Sequence, residues 1–114
     1  MQYVMLIYPN WGPIVEGALE EEKEVIGAEW ADLLKTDGLT PGLPLGLPDI
    51  ATTVRVNDGK TELTDGPVSK QEETAGGWIV LEADNLDAAL AVAARIPAAR
   101  LGGAIEVRPA VQYW

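Results

Sequence analysis

The 114-residue sequence contains no cysteine, no histidine and no phenylalanine. Without cysteine there is neither a disulfide framework nor a thiolate metal site. Without histidine the chain lacks the commonest metal ligand, the usual general base and any Ser-His-Asp arrangement. Positive charge is scarce too: eight Lys and Arg stand against eighteen Asp and Glu, a formal net charge of −10. A field of that sign repels phosphate backbones, so nucleic acid is not an expected partner. No apolar run exceeds the seven residues 88–94, far short of the roughly 20 that span a membrane, and the run nearest the start covers the six residues 3–8. Met1 and Gln2 lead into it with no basic stretch and no small-residue cleavage site, so a cytoplasmic location and no membrane partner are expected. Phosphate loops, dinucleotide fingerprints and EF-hand spacings are missing as well. No cofactor and no metal are expected.

What is present describes a globular chain. Hydrophobic residues make up 47% of it, too many for disorder, which needs low hydrophobicity together with high net charge. The length suits one domain over residues 1–114, large enough to build a core without staples. Glycine and proline cluster between candidate elements, at 9–13, 38–48, 58–67, 76–77 and 97–103.

Residues 2–8 form an expected strand that is apolar at both parities, with Val4 and Leu6 on one side and Tyr3, Met5 and Ile7 on the other. A strand of that kind is buried on both faces. After the turn-like residues 9–13, a helix is expected over 15–37. Its stripe is Leu19, Ile26, Trp30, Leu33 and Leu34, and Gly38 is its terminator. Glu20, Glu21, Glu22 and Glu24 fan around that helix and read as a solvated face. Residues 39–48 alternate leucine with proline and glycine, and are read as an extended connector covering a core edge.

Within 50–65, Asp58-Gly59 between alternating residues predicts a two-residue hairpin loop. That loop sets Asn57 opposite Lys60, Val56 opposite Thr61, Val54 opposite Leu63, and Arg55 opposite Glu62 as an ion pair. Residues 78–83 form a second two-faced strand, with Trp78 and Val80 opposed to Ile79 and Leu81. Asp84 is the expected N-cap of a second helix striped by Leu86, Leu90, Ala93 and Ile96 and stopped by Pro97. A last strand is expected over 104–108, with Ile105 and Val107 inward.

The order β-α-β-β-β-α-β places this chain in the α+β class. It predicts one antiparallel sheet of ferredoxin-like plan with both helices on one face. The other face is then bare although its residues are apolar, so a homodimer packed through that face is expected.

In order along the chain, several segments resemble the YCII-related, DGPF-domain proteins. They are the opening Tyr3-Val4-Met5-Leu6-Ile7-Tyr8, then Ala51-Thr52-Thr53-Val54-Arg55 and Thr64-Asp65-Gly66-Pro67-Val68. Gly76-Gly77-Trp78, Leu86-Asp87-Ala88-Ala89, Ile96-Pro97-Ala98-Ala99-Arg100 and Glu106-Val107-Arg108-Pro109 complete the set. The resemblance implies a dimeric α/β barrel and a small cytoplasmic bacterial protein, of a kind often encoded beside alternative sigma factors. Most such proteins have no assigned activity; a few are lyase-like or dehydrochlorinase-like, with a His/Asp pair. Here Val68 stands where the family has an aromatic, and no histidine exists to form the pair.

Asp65 is the one residue whose polarity conflicts with its strand parity. As a residue before Gly66 and Pro67 it would play an ordinary turn role. As a desolvated carboxylate it would be a general base. Trp11, in a Pro/Gly loop beside the first strand, is a candidate pocket wall, with Tyr8 and Trp78 beside it. Arg100 and Arg108 are candidate clamps for an anionic group, weighed against a plainer reading of both as counter-ions for the acidic surface. Two functions are therefore expected: binding of a small organic ligand in a cleft at the sheet without turnover, or a cofactor-free lyase, isomerase or hydrolase using Asp65.

Overall fold

Burial alternates residue by residue along the first strand, β1 (Gln2–Tyr8). Tyr3, Met5 and Ile7 are buried, while Val4, Leu6 and Tyr8 remain partly open. A computed structural model of the chain describes residues 1–114. Around β1 it builds α1 (Trp11–Glu16), α2 (Lys23–Leu33), β2 (Leu39–Pro41), β3 (Thr52–Asn57), β4 (Lys60–Asp65), β5 (Gly77–Glu82), α3 (Leu86–Ala93), α4 (Pro97–Arg100) and β6 (Ala104–Pro109).

The main sheet is four-stranded, ordered β2-β5-β1-β6, with every neighbouring pair antiparallel. This mixed α+β arrangement is compatible with a ferredoxin-like plan. The expected strand count is corrected in two places. The hairpin β3–β4 does not join the sheet but forms a two-stranded sheet of its own. The sheet's second strand comes instead from the segment read as a connector, whose residues Leu39, Thr40 and Pro41 pair with Leu81, Val80 and Ile79. Proline is tolerated there because β2 is an edge strand, where one side of the ladder needs no donor.

The core is the helix-side face of the sheet. Tyr3, Met5 and Ile7 from β1 and Ile79 and Leu81 from β5 pack with Leu33, Ala89, Ala93 and Ile96 from the helical layer. Ile105 and Val107 of β6 join it half-buried, with their parity as expected.

The long helix expected over 15–37 is broken. Helix α1 already starts at Trp11, inside the expected turn, and ends where Gly17 takes a left-handed φ of 72°. A 3-10 turn at Glu20–Glu22 leads into α2, which keeps Ile26, Trp30 and Leu33 facing the sheet. In α3 the cap is Asn85, not Asp84: the Asn85 side chain accepts the Ala88 N–H at 2.9 Å. The buried stripe is Ala89, Ala93 and Ile96, while Leu86 and Leu90 are 48% and 45% exposed. Small side chains let the helix approach the sheet closely, which leucines at those positions would prevent.

The hairpin register is as expected from Asn57↔Lys60 to Val54↔Leu63, with Asp58 and Gly59 both at positive φ in the loop. The Arg55–Glu62 ion pair does not form; Glu62 accepts instead from Asn57 Nδ2 at 3.0 Å.

The cap assignment is testable by substitution. Asn85→Ala should lower unfolding free energy by about 1 kcal/mol in a urea titration. Asp84→Ala should change it by less than about 0.5 kcal/mol.

Candidate functional site

Where the helical layer meets the end of β1 and β5, the core opens into a cavity of about 530 Å³. Its floor is Ile7, Gly77 and Ile79, and its helical walls are Trp11, Ile14, Ile26 and Trp30. Pro97, Ala98 and Leu101 close the side under α4, and Leu43, Pro44 and Leu45 form a rim from the segment after β2. Of 21 lining residues none is charged, and Asn10 alone carries a polar side chain. Ile14, Leu43 and Leu45 keep 42%, 71% and 44% of their surface exposed, so the rim is apolar and wet.

Trp11 is fixed rather than merely nearby. Its indole Nε1–H donates to Thr74 Oγ1 at 2.8 Å and to the Thr74 carbonyl at 3.2 Å. This satisfies its one donor from outside the cavity and leaves the ring as apolar wall. The approach also needs Gly76, because a Cβ there would stand 2.6 Å from Pro9 Cγ and 3.1 Å from Trp11 Cζ2. Trp78 reaches the cavity edge with its indole lying against Gly42.

Ion pairs tie the walls together. Arg100 of α4 donates from Nε to both carboxylate oxygens of Glu29 on α2, at 3.1 and 3.0 Å, and its Nη2 also donates to Glu29 Oε1. Arg95 Nη2 bonds Asp32 Oδ2 at 3.2 Å, joining the segment after α3 to α2. The hydrogen bond from Arg100, more than its charge, holds the Glu29 carboxyl below its ordinary value, and Glu29 in turn raises Arg100.

The structure brings together only part of the expected site. Trp11 and Trp78 line the cavity. Tyr8 lies outside it and lines a second depression of about 540 Å³ with Pro67, Val68 and Glu73. Asp65 is exposed at the end of β4 and lines neither. The turn beside it is held by its backbone neighbours: Gly66 N–H donates to the Ala51 carbonyl at 2.7 Å, and Thr53 Oγ1 donates to the Gly66 carbonyl at 2.8 Å. Arg108 is paired with Glu106 at 2.6 Å, away from both cavities. Reasoning from the sequence missed Ile14 and the rim leucines Leu43 and Leu45 as pocket residues. Their one signal was apolar character in a Pro/Gly-rich setting. No group of His, Cys, Asp or Glu side chains is placed to hold a metal ion.

The Glu29–Arg100 clamp carries a pH dependence of known sign. Because the folded carboxyl is depressed from 4.5, the unfolded chain binds the proton more readily. The clamp's contribution is complete above that value and is lost as pH falls through the lower folded one. Glu29→Gln should therefore flatten the decline of the urea midpoint on acidification below about pH 4.5. Parallel profiles for the two proteins would show that the pair is not coupled to folding.

No helix is long and apolar enough to cross a membrane. No curated protein matches the chain. The sequence model of the YCII-related domain matches residues 1–113, and the chain belongs to that family.

Proposed function

We propose that this YCII-family protein is a homodimeric binding module. It takes one small, uncharged, largely apolar organic molecule per chain into the helix-side cavity and does not turn it over. One observation carries the reading: a cavity of about 530 Å³ without a single charged side chain. Its size falls within the roughly 300–1,000 Å³ of ordinary ligand sites. An unpaired charge entering it would lose hydration and gain no counter-ion. The net charge of −10 further disfavours anions. Asn10 supplies one polar contact for orientation.

The lyase, isomerase or hydrolase reading needs Asp65 at the ligand, and its position outside the lining of both cavities supports binding without turnover instead.

Two probes that differ by one charged group test the ligand class. N-phenyl-1-naphthylamine should bind with enhanced fluorescence at least about tenfold more tightly than its anionic sulfonate analogue, 8-anilino-1-naphthalenesulfonate. Ile14→Asp, at a rim position already 42% exposed, should weaken the neutral probe by a similar factor while the chain stays folded. Asp65→Asn should leave it unchanged. Equal affinity for both probes would remove the argument from charge.

The dimer rests on surface area. The chain exposes 8114 Å², whereas a folded monomer of this mass exposes about 6,100 Å². Its radius of gyration is 16.0 Å, against about 13 Å for a compact domain of this length. The excess exceeds the roughly 800 Å² per partner that a standard interface buries. Val4, Leu6, Trp78 and Val80 form the apolar part of the sheet face that no helix covers. Sedimentation at micromolar concentration should give twice the 12.2-kDa chain mass. A single monomeric species would overturn the association.

A further inference from the structure

The hairpin β3–β4 is amphipathic, yet its apolar face packs on nothing. Pairing places Thr52, Val54 and Val56 on one face with Thr61, Leu63 and Asp65. Val54, Val56 and Leu63 are 60%, 64% and 69% exposed there. Arg55, Asn57, Lys60 and Glu62 occupy the opposite face. Along both strands only Thr53 is buried. An isolated two-stranded hairpin is marginally stable in water, and this one has both edges unpaired. A turn as well specified as Asp58-Gly59, joining strands that alternate apolar with polar, is built to lie on a surface. The chain itself supplies none.

We infer that the hairpin is an arm that grips a second copy of the chain, laying Val54, Val56 and Leu63 on the partner. The inference rests on the homodimer reading and adds to the uncovered sheet face a second, separately mutable contact.

Three observations favour a second copy as the occupant. The excess exposed surface, about 2,000 Å² by the mass relation, is more than the four apolar side chains of the sheet face account for. The apolar surface is also continuous from sheet to arm. Ile50 and Val68, each 75% exposed, flank the base of the hairpin and line the same depression as Tyr8, which stands on the uncovered face of β1. Finally, the face offered to the partner carries little charge. Of Thr52, Val54, Val56, Thr61, Leu63 and Asp65 only the last is charged, whereas Arg55, Lys60 and Glu62 lie on the opposite face. Two-fold symmetry would engage both arms, so each substitution would act twice.

Sedimentation equilibrium on the full chain tests this with two double variants. Val54→Lys with Leu63→Lys places charges on the apolar face. Arg55→Ala with Glu62→Ala alters the opposite face and serves as the control. The expected result is a dimer for the parent and the control, and a dissociation constant at least 100-fold weaker for the lysine variant, with unchanged far-UV circular dichroism. A lysine variant that dimerises within twofold of the parent would overturn the arm and leave the sheet-face dimer standing. A parent that is monomeric throughout would overturn the dimer, and the arm with it. Should the lysine variant fail to fold, hydrogen exchange of the parent decides. Hairpin amides protected at high concentration and released on dilution support the arm; amides that exchange equally at both concentrations overturn it.

Discussion

The sheet of this protein has apolar residues on both faces but helices on only one, and that imbalance governs the rest of the molecule. Strands β1 and β5 alternate Tyr3, Met5 and Ile7, or Ile79 and Leu81, toward the helical layer with Val4 and Leu6, or Trp78 and Val80, away from it. Burying a large apolar side chain is worth about 1.5–3 kcal/mol. The helix-side set is enough to hold the layers together. The outward set is stabilising only if something covers it. The helices of residues 1–114 pack on the other side.

The helical layer is itself incomplete, and the cavity is the consequence. Gly17 breaks what would have been one continuous helix, so α1 tilts off as a separate short piece and its Trp11 and Ile14 face Ile26 and Trp30 of α2 across open space. At the other end Ala89 and Ala93 bring α3 down on the sheet and leave no room there. Close packing at one end and a gap at the other follow from the same helices carrying alanine in one place and broken backbone in the other. The Glu29–Arg100 pair then spans the gap's edge, tying α2 to α4.

Much of the framework was legible in the sequence because period-two alternation and turn chemistry are local. The Asp58-Gly59 loop set the hairpin register, and the two-faced strands at Tyr3 and Trp78 announced an uncovered sheet face. What was not legible depended on choices between equally competent neighbours. Asp84 and Asn85 are both good caps, and the selection of Asn85 is a tertiary outcome. Leu86 and Leu90 are more apolar than Ala89, but the sheet accepts Ala89 beside Ala93 and Ile96, the part of the expected stripe that is buried. Leu39–Pro41 has neither length nor propensity for a strand and becomes one because β5 offers an unpaired edge. The candidate site was the least legible part. Trp11 was found from its Pro/Gly setting, but the cavity draws on α1, α2, α4, β1, β5 and the loop after β2, and the gap between them corresponds to no motif.

Cavity and uncovered face are not independent, because they are opposite sides of the same two strands. Ile7 and Ile79 lie on the cavity floor; Leu6 and Trp78, one residue back on each strand, are cross-strand partners on the other side. Since a strand cannot shift one face without carrying the other, whatever packs against Leu6 and Trp78 also fixes where Ile7 and Ile79 stand. Trp78 makes the link direct, since its ring rests on Gly42, beside the rim residues Leu43 and Leu45. A second copy seated on the uncovered face would thus restrain both the floor and the rim of a cavity it never enters. Ligand affinity and association would then be linked, each favouring the other to the extent that the restrained floor is the one the ligand requires.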